Sequence, residues 1–439
     1  MRLVVYGPGG RIGLIHGVLI FVSALLLYTL VRDLSYSLRW SQHSWFFDPS
    51  VGMSHEVSSE IVKRSADWLS HPTYPSSEST FISSASPYVC VAFMSARRSL
   101  RQYLNETVAS FHKSMSPASR ARFHVLSLIV DVPDPSENLF YNAPWMLERG
   151  RYIPGRALVD QQLHYAVNGS SATPGVLSGN LDGRPSGALL PSYYHDSLVP
   201  LADQKEWTLK EIFDYSTALD ACASTGLPHA LLIEDDVVFR SGWDQNLFEA
   251  LDHINSVPTG GYIAPNFDWV YYRLFFTDAF MGFESTDTPF LLLGGLLYAA
   301  ACTALVSLVF VRRTGIQSGV PVTALLYLAL MLAVGVLGIA VGKTWWRPIA
   351  VGFGESPRGA CCSQALLIPQ RHLVPLAEHM RAGTDPVDSA IDMYADSHAL
   401  KRFAHRPPFV QHVGAFSSKG AEYISNHVWS FDFEHYWDF

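Results

Sequence analysis

Three adjacent carboxylates, Glu234, Asp235 and Asp236, close an apolar run that reads ALLIEDDVVF over residues 230–239. Like charges this close repel one another, so a cation is expected beside them. Hard divalent ions such as Mg²⁺ and Mn²⁺ take oxygen ligands, and they need only one or two protein carboxylates when a phosphate group shares the ion. The competing reading is a solvated acidic turn. The greasy strand that delivers the triplet favours a site. Other chemistries lack their signatures: the chain has no Gly-x-x-x-x-Gly-Lys-Ser/Thr phosphate loop, no Gly-x-Ser-x-Gly elbow and no His-Glu-x-x-His zinc motif. The neighbouring cysteines Cys361 and Cys362 lack the spacing of zinc ligands, and a disulfide to Cys222 or Cys90 is the expectation for them.

The elements that must position the triplet alternate between strand and helix. Residues 88–93 read as a buried strand, and 100–111 as a helix with Leu104, Val108 and Phe111 on one face. Residues 123–130 form a second strand, stopped by the turn at 131–135. A Gly-, Ser- and Pro-rich stretch at 165–200 reads as a long loop. Thr208 and Glu211 have capping-box spacing and predict a helix from 208 to about 223. A short strand at 231–233, a helix at 243–254 and a strand at 269–276 follow. Later come a strand at 364–368, a helix at 373–380 and a helix started by Asp385-Pro386. This α/β alternation predicts a mostly parallel sheet with helices on both faces. Such sheets bind ligands beyond the carboxyl ends of their strands, where the triplet lies.

Three uncharged stretches are long enough to cross a bilayer: 12–31, 290–311 and 321–342. A cleaved signal peptide is the alternative for the first, but its apolar run is long and lacks a small-x-small cleavage site. A buried soluble hairpin is the alternative for the other two. Arg312 and Arg313 between them favour the cytosol. The expected order is a cytosolic tail (1–11), a signal anchor (12–31) and a lumenal stem (32–84) with a short helix near 56–69. A first part of the soluble domain (85–289), a membrane helix (290–311), a cytosolic loop (312–320), a membrane helix (321–342) and the second part (343–439) complete it. Asn105-Glu-Thr and Asn168-Gly-Ser are glycosylation sequons on the lumenal side.

The remaining composition excludes several classes. The chain has 439 residues, 49% hydrophobic and 16% charged, which rules out wholesale disorder and leaves room for one large domain or two. Its 31 basic and 39 acidic residues give a net charge of −8, which argues against a nucleic-acid partner. Five cysteines are too few for a disulfide-built scaffold.

Three passages carry a resemblance. VAFMSARRSLRQYLNETVASF (91–111), DYSTALDACASTGLPHALLIEDDVVF (214–239) and PFVQHVGAFSS (408–418) resemble the first strand and basic turn, the Glu-Asp-Asp helix–strand unit and the Gln-His-Val-Gly passage of the N-acetylglucosaminyltransferase IV group. The N-terminal anchor and the interrupting hairpin resemble the post-GPI-attachment N-acetylgalactosamine transferase family. Those Golgi enzymes add a side-chain sugar to the first mannose of GPI anchors. The resemblance implies a GT-A-type nucleotide-sugar glycosyltransferase domain interrupted by a transmembrane helical hairpin, with Mn²⁺ (or Mg²⁺) and a UDP-sugar, here UDP-GalNAc. It implies a GPI-anchor glycan or GPI-anchored protein as acceptor. By position, Asp236 would bind the metal, and Glu234 and Asp235 the ribose or metal-bound water. Arg97 and Arg98 would contact the nucleotide, against a reading as surface charge. His412 would touch the diphosphate or metal, and Ser417 and Ser418 a phosphate or sugar, against structural readings of each. The family inverts the anomeric centre, which needs a general base. Asp388 is the candidate, against a purely helix-capping role, and Asp392 is held in reserve. Two further readings remain: an acceptor among N-glycans or glycolipids, and a non-catalytic multi-span protein that binds glycoproteins.

Overall fold

The computed structural model describes residues 8–39, 41, 43–70, 86–98, 100–130, 136, 138–148, 157–164, 204–256, 268–277, 283, 287–314, 322–343, 352–356, 362–415 and 429–435. The loop expected at 165–200, the sequon at Asn168, Cys361, Ser417 and Ser418 lie outside these residues. The chain divides into two compact units, Met1–Ser54 with Met281–Pro348 and His55–Phe280 with Ile349–Phe439.

The first unit is helical. It holds α1 (Pro8–Ser37), the single turn α2 (Pro49–Gly52), α9 (Thr288–Thr314) and α10 (Val322–Ala340). Gly17–Ser37 and Thr288–Leu305 are long and apolar enough to cross a membrane, with mean hydropathy 1.8 and 1.7; α10 carries a shorter apolar run at Leu325–Ala340. Large apolar side chains face outward on α1 and α9, among them Phe21, Leu26, Phe290 and Leu296. Water would penalise such surfaces, so the two helices indicate association with a membrane. α9 and α10 meet where the Tyr298 ring lies against Gly335, leaving no room there for a Cβ, and Tyr298 Oη donates to the Met331 carbonyl at 2.7 Å. Past the far end of α10, Lys343 pairs with Asp287 at 2.6 Å.

The second unit is α/β. Its elements are α3 (Glu56–Ser70), β1 (Val89–Ser95), α4 (Leu104–Ser114), α5 (Pro117–Arg120), β2 (Phe123–Ile129), α6 (Pro144–Leu147), β3 (Gln161–His164), α7 (Gln204–Ser224), β4 (His229–Glu234), β5 (Val237–Phe239), α8 (Trp243–Ser256) and β6 (Trp269–Arg273). After the inserted helices come β7 (Gly352–Glu355), β8 (Ala365–Pro369), α11 (Gln370–Ala382), α12 (Val387–Ser397), β9 (Lys401–Arg406), β10 (Val410–His412) and α13 (Phe431–His435). Among the described residues the strands form an eight-stranded sheet, ordered β3-β2-β1-β4-β8-β6-β9-β7, and a two-stranded sheet of β10 and β5.

The large sheet is mixed rather than mostly parallel. β8 runs antiparallel to both β4 and β6, and β7 antiparallel to β9. The difference has a simple origin: every residue of β8 is buried, and an apolar run reads the same in either direction. The remaining pairs are parallel, so β1, β4, β6 and β9 all end at one edge. One face of the sheet packs on α4 and α8 through Phe111, Phe123, Phe239 and Trp243. The other packs on α7, α11 and α12 through Leu219, Leu376 and Ile391. Both faces are apolar at the centre of the sheet, so β1 (VCVAFMS) and the ALLI part of β4 read as largely apolar runs.

Two local expectations change. α7 begins at Gln204, so Thr208 is a buried residue inside the helix and its spacing to Glu211 caps nothing. Gln204, Lys205 and Glu206 are good helix formers and carry the helix back past Thr208. Cys90 on β1 and Cys222 on α7 form a disulfide with each other, so neither is available to Cys361 or Cys362. The short helix expected in the stem, α3, packs on α4 and belongs to the α/β unit.

The first sequon falls on α4. Asn105 is partly buried, and Thr107 is fully buried with its hydroxyl donating to the carbonyls of Asp235 and Val237 at 2.6 and 2.7 Å. A glycan at Asn105 is incompatible with this packing. Asn105→Gln should therefore leave the glycosidase-sensitive electrophoretic mobility of the protein unchanged. Loss of a glycan in that variant would contradict the placement of α4.

Candidate active site

The triplet sits where β4 leaves the sheet. Ala230 to Ile233 are wholly buried, Glu234 is the last strand residue, and Asp235 and Asp236 form the turn into β5. Burying three carboxylates requires partners for each, because an unpaired buried charge costs several kcal/mol. Several elements serve the three acids, and Arg98 serves two of them.

Glu234 points toward α7. Its Oε1 accepts from Tyr215 Oη at 2.5 Å and from Ser363 Oγ at 3.0 Å. Asp235 points to the opposite face. It accepts from Ser95 Oγ at the end of β1 (2.9 Å) and from Arg98 Nη2 (2.7 Å). Asn138 Nδ2 in turn donates to Ser95 Oγ at 3.3 Å. Asp236 receives the same Arg98 Nη2 at 2.8 Å and His412 Nε2 at 3.1 Å, both on Oδ2. Its other oxygen, Oδ1, is buried with no hydrogen-bond partner among the described residues.

The Gln-His-Val-Gly passage reaches the triplet through β10. This strand pairs antiparallel with β5, placing His412 opposite Val237 and Gln411 opposite Val238. The Val413 amide donates to the Asp236 carbonyl at 2.8 Å. Gly414 then passes so close that a Cβ there would stand 2.1 Å from Asp236 Oδ2 and 2.9 Å from His412 Nε2. Only glycine fits this approach. Tyr103, buried at the start of α4, accepts the Ala415 amide at 3.1 Å on its hydroxyl, and the Arg98 guanidinium lies 5.4 Å from its ring centre.

Burial raises all three acids, and their neighbours then set them apart. Burial and the charge of Asp236 push Glu234 up to about 7, against the hydrogen bond from Tyr215. Burial also lifts Asp235, with the Arg98 guanidinium opposing it. At Asp236 the burial penalty is outweighed by Arg98 and His412, which hold the carboxyl well below the usual range. Burial alone would lower His412, but the Asp236 carboxylate raises it. The result is one firmly ionised carboxylate with an unpartnered, buried oxygen, beside a glutamate whose charge responds near neutral pH.

The site residues expected from sequence fall into two groups. Glu234, Asp235, Asp236, Arg98 and His412 come together. Arg97, next to Arg98, is exposed. Asp388 lies in the first turn of α12, where its Oδ1 accepts from the Ser389 amide at 2.8 Å. Asp392, one turn on, accepts from Tyr271 Oη at 3.1 Å and Arg402 Nε at 2.9 Å and is held in the packing of α12. Ser95, Tyr215, Thr107, Ser363 and Gly414 were not anticipated. Ser95 and Thr107 lie inside the passage 91–111, Tyr215 inside 214–239 and Gly414 inside 408–418, whereas Ser363 lies in none of the three.

The fold and site together are an α/β unit with a buried acidic turn at the end of a central strand, in which one carboxylate oxygen has no partner among the described residues. The family described as GPI-N-acetylgalactosamine transferase PGAP4 matches residues 192–411, half of the chain, and the protein belongs to this family of glycosyltransferases. The matched segment contains the triplet, α7 and α12, whereas Arg98 and Gly414 lie beyond it. No curated protein matches the chain.

Gly414→Ala tests the closeness of this approach. The added methyl must displace Asp236 or His412. Overpacking of this kind typically costs about 1–3 kcal/mol, so the variant should melt lower than wild type and lose most transferase activity. An active variant of unchanged stability would mean that Gly414 does not cover Asp236.

Proposed function

We propose that this protein is a membrane-bound Golgi glycosyltransferase of GT-A type that transfers GalNAc from UDP-GalNAc, with inversion, to the mannose core of GPI anchors. Family membership supports the activity and the GPI acceptor. The observation that carries the mechanism is the buried Oδ1 of Asp236, without a partner among the described residues, on a carboxylate kept ionised by Arg98 and His412.

A divalent ion fits these residues. Carboxylate oxygen is the donor that Mn²⁺ and Mg²⁺ take, and Oδ1 is a buried acceptor without a partner. Asp236 would hold the ion, with Glu234 and Asp235 on either side arranging ribose or bound water. When bound, the ion offsets the negative charge that develops on the departing diphosphate. Arg98 supplies a positive charge at the same place.

The protein's own part is positioning and proton transfer. Tyr215 and Ser363 fix Glu234, Ser95 fixes Asp235, and Thr107 braces the turn between them through the carbonyls of Asp235 and Val237. The acceptor hydroxyl gives its proton to the base as its oxygen bonds to the anomeric carbon. The bond from that carbon to the diphosphate oxygen breaks, and its electron pair leaves with UDP. Asp388 is the base in this reading, because Asp392 is engaged by Tyr271 and Arg402. The helices α1, α9 and α10 supply an anchor and a transmembrane hairpin that hold the catalytic domain near a lipid-linked acceptor.

Mass spectrometry of GPI glycans from cells lacking the protein tests the reading. Wild type should restore a HexNAc on the mannose core, and Asp236→Asn should restore none, consistent with a loss on the order of 100-fold or more for removing a main electrostatic group. An unchanged GPI profile, with altered N-glycans or glycolipids, would move the acceptor to those pools.

A further inference from the structure

Arg98 occupies the position of a cation at the triplet. Its Nη2 lies 2.7 Å from Asp235 Oδ1 and 2.8 Å from Asp236 Oδ2, and the side chain is 8% exposed. His412 reaches the same Oδ2. Asp236 therefore presents one oxygen that is already balanced and one, Oδ1, that is buried without a partner among the described residues.

Two features stand against a divalent ion binding there alone. Among the described residues, no three His, Cys, Asp or Glu side chains converge as a metal cage, so the protein supplies only part of a ligand set. An ion on Oδ1 would also share a single carboxylate with the guanidinium on Oδ2. Two like charges would then face each other in a site nearly closed to water, where repulsion is poorly screened. A diphosphate removes both obstacles, because its oxygens complete the ligand set and its charge gives the guanidinium a new partner.

We propose that Arg98 is an exchangeable counter-cation. It neutralises Asp235 and Asp236 while the donor site is empty and turns to the donor's diphosphate when a divalent ion takes Asp236. Ion and diphosphate then bind as a coupled pair, and neither binds well alone. Arg98 lies beyond the last residue of β1, and its guanidinium stands 5.4 Å from the centre of the Tyr103 ring, whose hydroxyl accepts the Ala415 amide. This role rests on the metal-assisted donor site proposed above and adds how that site is kept neutral and in what company it fills.

Manganese titrations followed by electron paramagnetic resonance test it without measuring transfer. The full-length protein in detergent is titrated with Mn²⁺ with and without UDP, after allowance for the ion held by free UDP. Wild type should bind Mn²⁺ weakly alone and about tenfold or more tightly with UDP, a usual size for coupling between two sites. Arg98→Gln should bind Mn²⁺ alone about tenfold more tightly than wild type and lose most of the gain from UDP, while Arg98→Lys should keep the wild-type pattern. Wild-type affinity that is indifferent to UDP would overturn the coupling, a result that needs no variant to fold. Arg98→Gln binding Mn²⁺ no more tightly than wild type would overturn the role of Arg98. Asp236→Asn that binds Mn²⁺ like wild type would instead remove the metal site beneath both readings.

Discussion

The structure of the α/β unit turns on the burial of three consecutive carboxylates at the end of one apolar strand. Water cannot stabilise them there, so the protein must, and each support comes from a different part of the chain. Arg98 and Ser95 arrive from the end of β1, Tyr215 from α7, Thr107 from α4, Ser363 from the approach to β8, and His412 from β10. Removing one member of a buried charged pair typically costs about 3–5 kcal/mol, more than one strand–strand hydrogen bond contributes. The sheet order serves this convergence: β1 and β4 lie side by side and end together, and β5 leaves the triplet to pair with β10.

The same burial gives the acids different behaviour. Three carboxyls in water would titrate almost alike. Here the guanidinium and the imidazole both sit on Asp236, which stays ionised, while burial and the charge of Asp236 push Glu234, hydrogen-bonded by a phenol and a serine hydroxyl, up to about 7. Position along the strand explains the split. Alternate residues face opposite sides of a sheet, so Glu234 turns to the α7 face and Asp235 to the α4 face. Asp236, in the turn, faces the space that the Gly414 segment covers.

Much of this was legible in the sequence, for identifiable reasons. The core strands and the helices 243–254 and 373–380 announce themselves through apolar periodicity, and they appear within a few residues of their expected limits. The acidic triplet is conspicuous because the run before it is so apolar. Direction and pairing were not legible. β8 reads equally well either way round, and Thr208 mimics a helix start because capping spacing also occurs inside helices. The partners that tune the acids were also hidden. Tyr215 lies in an ordinary helical stretch 19 residues from Glu234, and Ser363 is 129 residues away. Long-range contacts of that kind follow from sheet order, which periodicity does not encode. The Gln-His-Val-Gly passage stood out as a motif, but its place beside Asp236 emerges only from the pairing of β10 with β5.

The most direct test of the account is a structure of the full-length protein with Mn²⁺ and UDP bound. The account predicts an ion bonded to Asp236 through the oxygen that now has no partner, with the diphosphate against that ion and Arg98 turned toward the phosphate. An ion and nucleotide bound elsewhere, with Arg98 still clamped between Asp235 and Asp236, would contradict it.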